Sequence, residues 1–171
     1  MNALFTSTLD TNVGPFTMMV DADGAVLAAG WTAQTADLLP QVHPDLRGGE
    51  SVARKDLGPA SRAARAYHDG DLTAPDAVAV RQRTDGAFLA AAWQALRKVA
   101  PGEPVSYTEL ATRTGNPRAN RAAAQACARN AAALFVPCHR VIRTDGSLGG
   151  FRWGVDVKRW LLSHESAHDQ P

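Results

Sequence analysis

The sequence predicts an α/β protein in two parts, a small N-terminal α/β region and a mainly helical region after it. Three observations predict this. Apolar runs between residues 4 and 31 are separated by turn-forming residues, the pattern of an antiparallel meander. The composition changes at Thr84-Asp85-Gly86, and from Phe88 the apolar residues recur at 88, 89, 92, 93, 96 and 99, a helical period. A capped helix, a Gly-Asn-Pro turn and a second helix then follow one another, the outline of a helix-turn-helix. We place the two regions at residues 1–83 and 84–171.

In the first region, Phe5 to Leu9 is one strand. Gly14-Pro15 introduces a second, Phe16 to Val20. Asp21-Ala22-Asp23-Gly24 is a turn by composition, and Ala25 to Trp31 is a third apolar run. Ala33 to Leu39 suits a short helix, and His43 to Lys55 has no period and reads as a loop. Leu57 to Tyr67 is rich in alanine and arginine and reads as a helix. Thr73 to Pro75 breaks the chain, and Val78 with Val80 suggests a short strand. Nothing in this region points to chemistry.

In the second region, Pro101-Gly102 ends the first helix. Ser106 and Glu109 form a capping box, and Gly115 stops the helix that starts there. Asn116 suits an N-cap and Pro117 a first helical position, so the next helix is expected from Pro117 to about Arg129. At about 100° per residue, Arg118, Arg121, Gln125 and Arg129 share one face of it, and Ala119, Ala122, Ala123 and Ala126 another. Between Val105 and Asn130 four arginines stand against Glu109 alone, a local excess suited to phosphate. Val141 to Leu148 reads as a tight hairpin and 149–154 as a glycine-bracketed loop. Val157, Trp160, Leu161 and His164 mark a final amphipathic helix, with fraying expected after Glu165.

The bulk numbers exclude several classes. The 171 residues suit one large domain or two small ones, and 45% hydrophobic with 20% charged residues is a globular composition. No run of about twenty apolar residues exists, so no membrane helix is expected. Met1-Asn2-Ala3-Leu4 has neither a basic start nor an apolar signal core, so a cytoplasmic location is expected. There the two cysteines, Cys127 and Cys138, are expected as thiols. We read no CxxC, CxxH or HxxxH spacing, so no metal site and no cofactor is expected. A net charge of +1 neither demands nor excludes nucleic acid.

The stretch Val136-Pro137-Cys138-His139-Arg140-Val141 carries the chemistry. A thiol is a weak nucleophile until a base takes its proton, and His139 is adjacent in sequence. Each feature alone also has a plain reading. A cysteine is often a small buried hydrophobe, and Cys127 on the alanine-rich helix is read that way. Tyr107 alone is a packing residue, Glu165 a solvated charge and the arginine stripe a solvated face. Their order and spacing in one segment make the case.

Residues 86–165 resemble the O6-alkylguanine-DNA alkyltransferases, also called methylated-DNA–protein-cysteine methyltransferases. The resemblance rests on Trp93-Gln94-Ala95-Leu96, Gly102-Glu103-Pro104-Val105-Ser106-Tyr107, Gly115-Asn116-Pro117, Arg121, Asn130 and Pro137-Cys138-His139-Arg140-Val141. The loop Gly150-Phe151-Arg152-Trp153-Gly154-Val155 looks most like that of the C-terminal half of bacterial Ada. The resemblance implies a ribonuclease-H-like α/β fold for 1–83 and a winged helix-turn-helix for 84–171. It implies Cys138 as alkyl acceptor, His139 as its base acting through a water, Glu165 as orienter of the imidazole, and Tyr107 as donor to the departing guanine. It implies that the helix bearing Arg118, Ala119, Ala122 and Gln125 lies in the minor groove and that Arg121 enters the base stack. Asn130 would couple that helix to the active-site strand, and Val141, Phe151 and Arg152 would help hold the extruded base. The implied partner is alkylated double-stranded DNA, with O6-alkylguanine as substrate and repair of O4-methylthymine left open, met by a monomer that acts once.

Two departures bear on specificity. Phe151 stands where many relatives have tyrosine, and Arg152 and Trp153 replace small residues, which favours methyl over bulkier groups. Three other functions compete. A non-catalytic damage sensor of this fold lacks the acceptor cysteine, which is present here. A helix-turn-helix regulator needs base-reading side chains, which the alanine-lined helix offers sparingly. A cysteine hydrolase needs an oxyanion hole, for which there is no sign.

Overall fold

The computed structural model describes residues 3–168 and shows a mixed α/β protein. Contacts divide the chain into two compact units. One comprises Met1–Arg83 with Ala131–Phe135, and the other Thr84–Asn130 with Val136–Pro171.

The first unit is built on the meander: β1 (Leu4–Thr11), β2 (Gly14–Asp21) and β3 (Val26–Gly30). β1 and β2 pair antiparallel from Leu4↔Asp21 to Thr11↔Gly14. The turn is tight because Gly14 takes φ +102° and Thr11 Oγ1 both accepts from Val13 N and donates to Gly14 O. From Phe16 to Asp21, β2 is buried at every residue, so its sequence is mostly apolar, with Thr17 and Asp21 hydrogen-bonded, and does not alternate. Phe16 packs near Trp31, His68 and Phe135, at ring-centroid distances of 4.7, 5.8 and 6.5 Å. Asp21 Oδ1 accepts from Asp23 N and Ala25 N, which closes the turn into β3.

Three sequence expectations change here. The 43–55 loop contains a fourth strand, β4 (Ser51–Ala53), parallel to β1, giving the order β3-β2-β1-β4. Its three exposed residues are too short to show a period. Val78 and Val80 form no strand, only one bridge from Val80 to Val26. The short helix expected over 33–39 is two single 3₁₀ turns, Thr35–Asp37 and Leu39–Gln41. Helix α1 (Pro59–His68) starts on Pro59 and buries Ala60, Ala63, Ala64 and Tyr67. Ala131–Phe135 returns to this unit by bonds between Ala29 and Ala131 and between Ala133 and Ala29.

The second unit holds α2 (Ala87–Leu96), β5 (Val105–Ser106), α3 (Tyr107–Arg113), α4 (Asn120–Ala128), β6 (Val141–Ile142) and α5 (Val155–His168). Ser106 caps α3 by accepting from Glu109 N, and Gly115 leaves it at φ +105°. Trp93 Nε1 donates to Ala126 O and joins α2 to α4, over a core of Leu89, Ala92 and Ala126.

α4 starts later than the expected Pro117. The Asn116 side chain accepts from Arg118 N and its carbonyl from Ala119 N, so 116–119 is a turn and the helix begins at Asn120. The expected 141–148 hairpin is also corrected: Val141-Ile142 pairs in parallel with Val105-Ser106. A turn does follow, with Arg143 N bonded to Ser147 O. α5 does not fray at Glu165 but continues to His168, and 169–171, like Met1 and Asn2, lie outside the described residues. Among the described residues no helix is long and apolar enough to cross a membrane.

Candidate active site

Pro137 leads into one 3₁₀ turn, Cys138–Arg140, whose three residues are all buried. Cys138 N donates to Val136 O at 2.8 Å, and Asn130 Nδ2 donates to the same carbonyl at 2.7 Å. Asn130, two residues beyond α4, thus fixes the segment that leads into the cysteine. Burial pushes the Cys138 thiol up, opposed by a hydrogen bond from the Asn130 side chain and by the charges of Lys158 and Arg152.

The other half of the site comes from α5. Lys158, Leu161 and Glu165 are spaced i, i+3, i+7 and form the buried stripe of the helix. Glu165 is fully buried, so the solvated reading of that charge is wrong. Its Oε2 accepts from His139 Nε2 at 2.7 Å and from Arg140 Nη2 at 3.0 Å, and its Oε1 from Arg140 Nε at 2.9 Å. Arg140 also donates to Val99 O at 2.8 Å. Burial would raise the Glu165 carboxyl, but the charges and hydrogen bonds of His139 and Arg140 outweigh it and hold it well below the usual range. Burial pushes His139 down, against the pull of Glu165, so the resting pair is a neutral imidazole beside an ionised carboxylate. An ionised carboxylate only accepts, so Nε2 carries the proton and Nδ1 is the basic nitrogen.

Tyr107 opens α3 and is half-buried. Burial, with the thiols Cys127 and Cys138, pushes its hydroxyl up to about 12, so it remains a donor at neutral pH. The 149–154 loop passes close by: Gly149 has φ +75°, and a Cβ there would lie 2.9 Å from the tyrosine hydroxyl. In that loop Phe151 is partly buried, while Arg152 is exposed and donates to Ala128 O in the last turn of α4. Val141 is buried, and its carbonyl accepts from Lys158 Nζ at 2.7 Å.

On α4 the expected faces separate. Arg118, just before the helix, and Arg121, Gln125 and Arg129 are exposed. Ala123 and Ala126 are fully buried, while Ala119 and Ala122 are partly covered. Arg113 is engaged by Glu109 at 3.0 Å, which narrows the basic patch to the other three arginines. Cys127 is only partly buried, where the sequence placed it on the buried side, although burial still pushes its thiol up.

The structure thus brings Cys138, His139, Glu165 and Asn130 together and sets Tyr107 beside the glycine loop. Sequence reasoning gave no role to Arg140 or Lys158. The buried stripe on α5 was the signal for Lys158, since 158, 161 and 165 share a helical face. The reading that no HxxxH spacing occurs is corrected: His164-Glu165-Ser166-Ala167-His168 has it, a spacing known from zinc-binding helices. Here Glu165 bonds His139 and Arg140, and His164 stacks on Trp160 at 4.4 Å. Among the described residues no group of three or more His, Cys, Asp or Glu is placed to hold a metal.

Comparison with known proteins shows the family. Residues 87–167 match the family model described as 6-O-methylguanine DNA methyltransferase, DNA binding domain. The chain is 34% identical over 169 residues to the methylated-DNA–protein-cysteine methyltransferase of Salmonella typhimurium, covering 96% of this chain and 97% of that one. Over 84 residues it is 51% identical to the bifunctional transcriptional activator/DNA repair enzyme Ada of Escherichia coli, across 49% of this chain but only 24% of Ada. The crystal structure of Mycobacterium tuberculosis OGT in complex with DNA aligns with a TM-score of 0.79 at 31% identity, over 96% of this chain and 94% of that one. The chain belongs to the methylated-DNA–protein-cysteine methyltransferase family.

Proposed function

We propose that this protein repairs alkylated duplex DNA by moving the alkyl group from O6 of guanine to the sulfur of Cys138. The observation that carries it is the fully buried His139–Glu165 contact at 2.7 Å, one residue from the thiol. It fixes the imidazole so that Nδ1 is free of the carboxylate bond and can take the Cys138 proton. The new imidazolium is then balanced by Glu165, while Arg140 keeps that carboxylate ionised beforehand.

The thiolate attacks the alkyl carbon, a C–S bond forms and the C–O6 bond breaks. Guanine leaves as an anion unless its ring is protonated, and Tyr107, still protonated at neutral pH, is the donor. The carbon is inaccessible inside the duplex, so the nucleotide must be extruded. Arg121 is the exposed residue that would take its place, and α4 enters the minor groove with Arg118, Ala119, Ala122 and Gln125. The relative solved with DNA supports this partner. Val141, Phe151 and Arg152 hold the extruded base, with Asn130 coupling α4 to the acceptor strand.

We read 1–83 as a ribonuclease-H-like region and 84–171 as a winged helix-turn-helix region. The protein acts as a monomer in the cytoplasm, without cofactor. The product is a thioether, which nothing in the site can hydrolyse, so each molecule reacts once.

The test is incubation with duplex DNA carrying O6-methylguanine, followed by peptide mass analysis. One methyl group on the Cys138 peptide, absent in Cys138→Ser, is expected. Loss of methyl from the DNA with no adduct on that peptide sinks the reading.

A further inference from the structure

Lys158 is a buried ionisable side chain in this cluster to which the mechanism above gives no work. It is 1% exposed. Its two hydrogen-bond partners are both main-chain carbonyls, Val141 O in β6 at 2.7 Å and Gly150 O in the glycine loop at 3.3 Å. Its ammonium stands 6.0 Å from the centre of the Tyr107 ring. A buried cation answered only by carbonyls is a poor way to stabilise a fold, since an apolar side chain of similar volume avoids the desolvation. The cost points to a role in the site.

The placement suggests which. Lys158 and Glu165 lie two turns apart on the buried face of α5. Glu165 receives the base side of the acceptor turn, His139 and Arg140. Lys158 receives the strand that leaves that turn, together with the loop that follows it. One helix therefore holds both flanks of Cys138, with an anion on one and a cation on the other.

We infer that Lys158 is a positioning residue: it fixes Val141 and Gly150 at one spacing for the extruded base and supplies the fixed positive charge that favours the Cys138 thiolate. This rests on the proposed transfer reaction. The groups around the thiol are His139 and Arg140 on its own turn, Tyr107 on α3, Cys127 on α4, Glu165 and Lys158 on α5, Arg143 after β6 and Arg152 in the loop. Arg140 is neutralised by Glu165, and Arg152 is exposed to screening solvent. Lys158 is the cation that is both buried and unmatched by a carboxylate among the described contacts. Burial pushes the Lys158 ammonium down and the Cys138 thiol up, and the mutual attraction of the two charges opposes both shifts.

The test uses the full chain in a Cys127→Ala background, with Lys158→Arg, Lys158→Gln and Lys158→Met. Two rates are measured for each: single-turnover transfer from O6-methylguanine duplex, and labelling of Cys138 by iodoacetamide across pH, which needs no DNA. Transfer in the Gln and Met variants is expected to fall by about 10²-fold, as misplacement near a reacting centre does. Their labelling midpoints are expected to move to higher pH by about one unit, and the Arg variant to keep the parent midpoint. Gln and Arg retain polar contacts, so they report even if Met does not fold. Transfer within about twofold of the parent in the Gln variant overturns the inference. So does slowed transfer with an unmoved labelling midpoint, which is what a merely structural lysine gives. A midpoint that moves while the parent itself transfers nothing supports the role of Lys158 and sinks the transfer reading instead.

Discussion

The first unit buries hydroxyls, His68 and one aspartate beside an apolar core, whereas the second buries a lysine, an arginine, a histidine and a glutamate around one thiol. In the first, Phe16, Met18, Met19, Leu27 and Tyr67 are almost fully enclosed, and Asp21 is answered by Arg81 and by backbone donors. Such a core holds itself together by removing apolar surface from water. In the second, Glu165 takes three hydrogen bonds from two side chains and Lys158 two carbonyls. Charges cost desolvation when buried and return it only with full pairing, so this unit gives up stability to fix chemistry.

The comparison can be broken by mutation. Arg140→Met leaves Glu165 without its permanent counter-charge, and we expect a loss of about 3–5 kcal/mol in urea unfolding, with transfer abolished. Phe16→Ala should cost a similar amount, about 3–5 kcal/mol, through the cavity it leaves. The two units differ in pH dependence. His139 is held below its ordinary value in the fold, so between its folded-state value and about 6.5 the unfolded chain binds the extra proton. Its contribution is fully present above about pH 6.5 and is lost as pH falls, with a slope approaching about 1.4 kcal/mol per unit. Unfolding measured from pH 7.5 to 5 should show that slope in the wild type and in Phe16→Ala, and a flattened one in His139→Gln. Equal slopes in all three would erase the distinction between the units.

Smaller effects sharpen it. Gly149→Ala should cost about 1–3 kcal/mol, since φ +75° strains a residue with a Cβ and that Cβ meets the Tyr107 hydroxyl. Iodoacetamide labelling of Cys138 should change in the same variant if the loop and Tyr107 shape the site. Ser106→Ala removes the cap of α3 and should cost about 1 kcal/mol, read by thermal unfolding, with little effect on labelling.

Local signals in the sequence carried much of the fold. The meander, the N-cap at Ser106 and the stop at Gly115 each depend on residues close in sequence and appear where expected, although Glu109 bonds Arg113 and does not complete the capping box. The β4 and β5–β6 pairings were not legible, because strands of two or three residues show no period and a parallel partner lies far along the chain. The start of α4 was misplaced because Asn116 and Pro117 fit an N-terminus, while the Asn116 side chain in fact closes a turn on Arg118. In the site, Cys138 and His139 were legible from adjacency. The buried state of Lys158 and Glu165 was not, since charges read as solvated unless the i, i+3, i+7 stripe with Leu161 is followed.

The central claim is that this buried network serves one thiol that accepts one alkyl group. The most direct measurement titrates the protein against excess duplex DNA carrying radiolabelled O6-methylguanine and counts methyl groups transferred per molecule. The account predicts a plateau at one, carried by Cys138 and unchanged by longer incubation. Methyl removal that continues past one per molecule, or a plateau that survives Cys138→Ser, would contradict it.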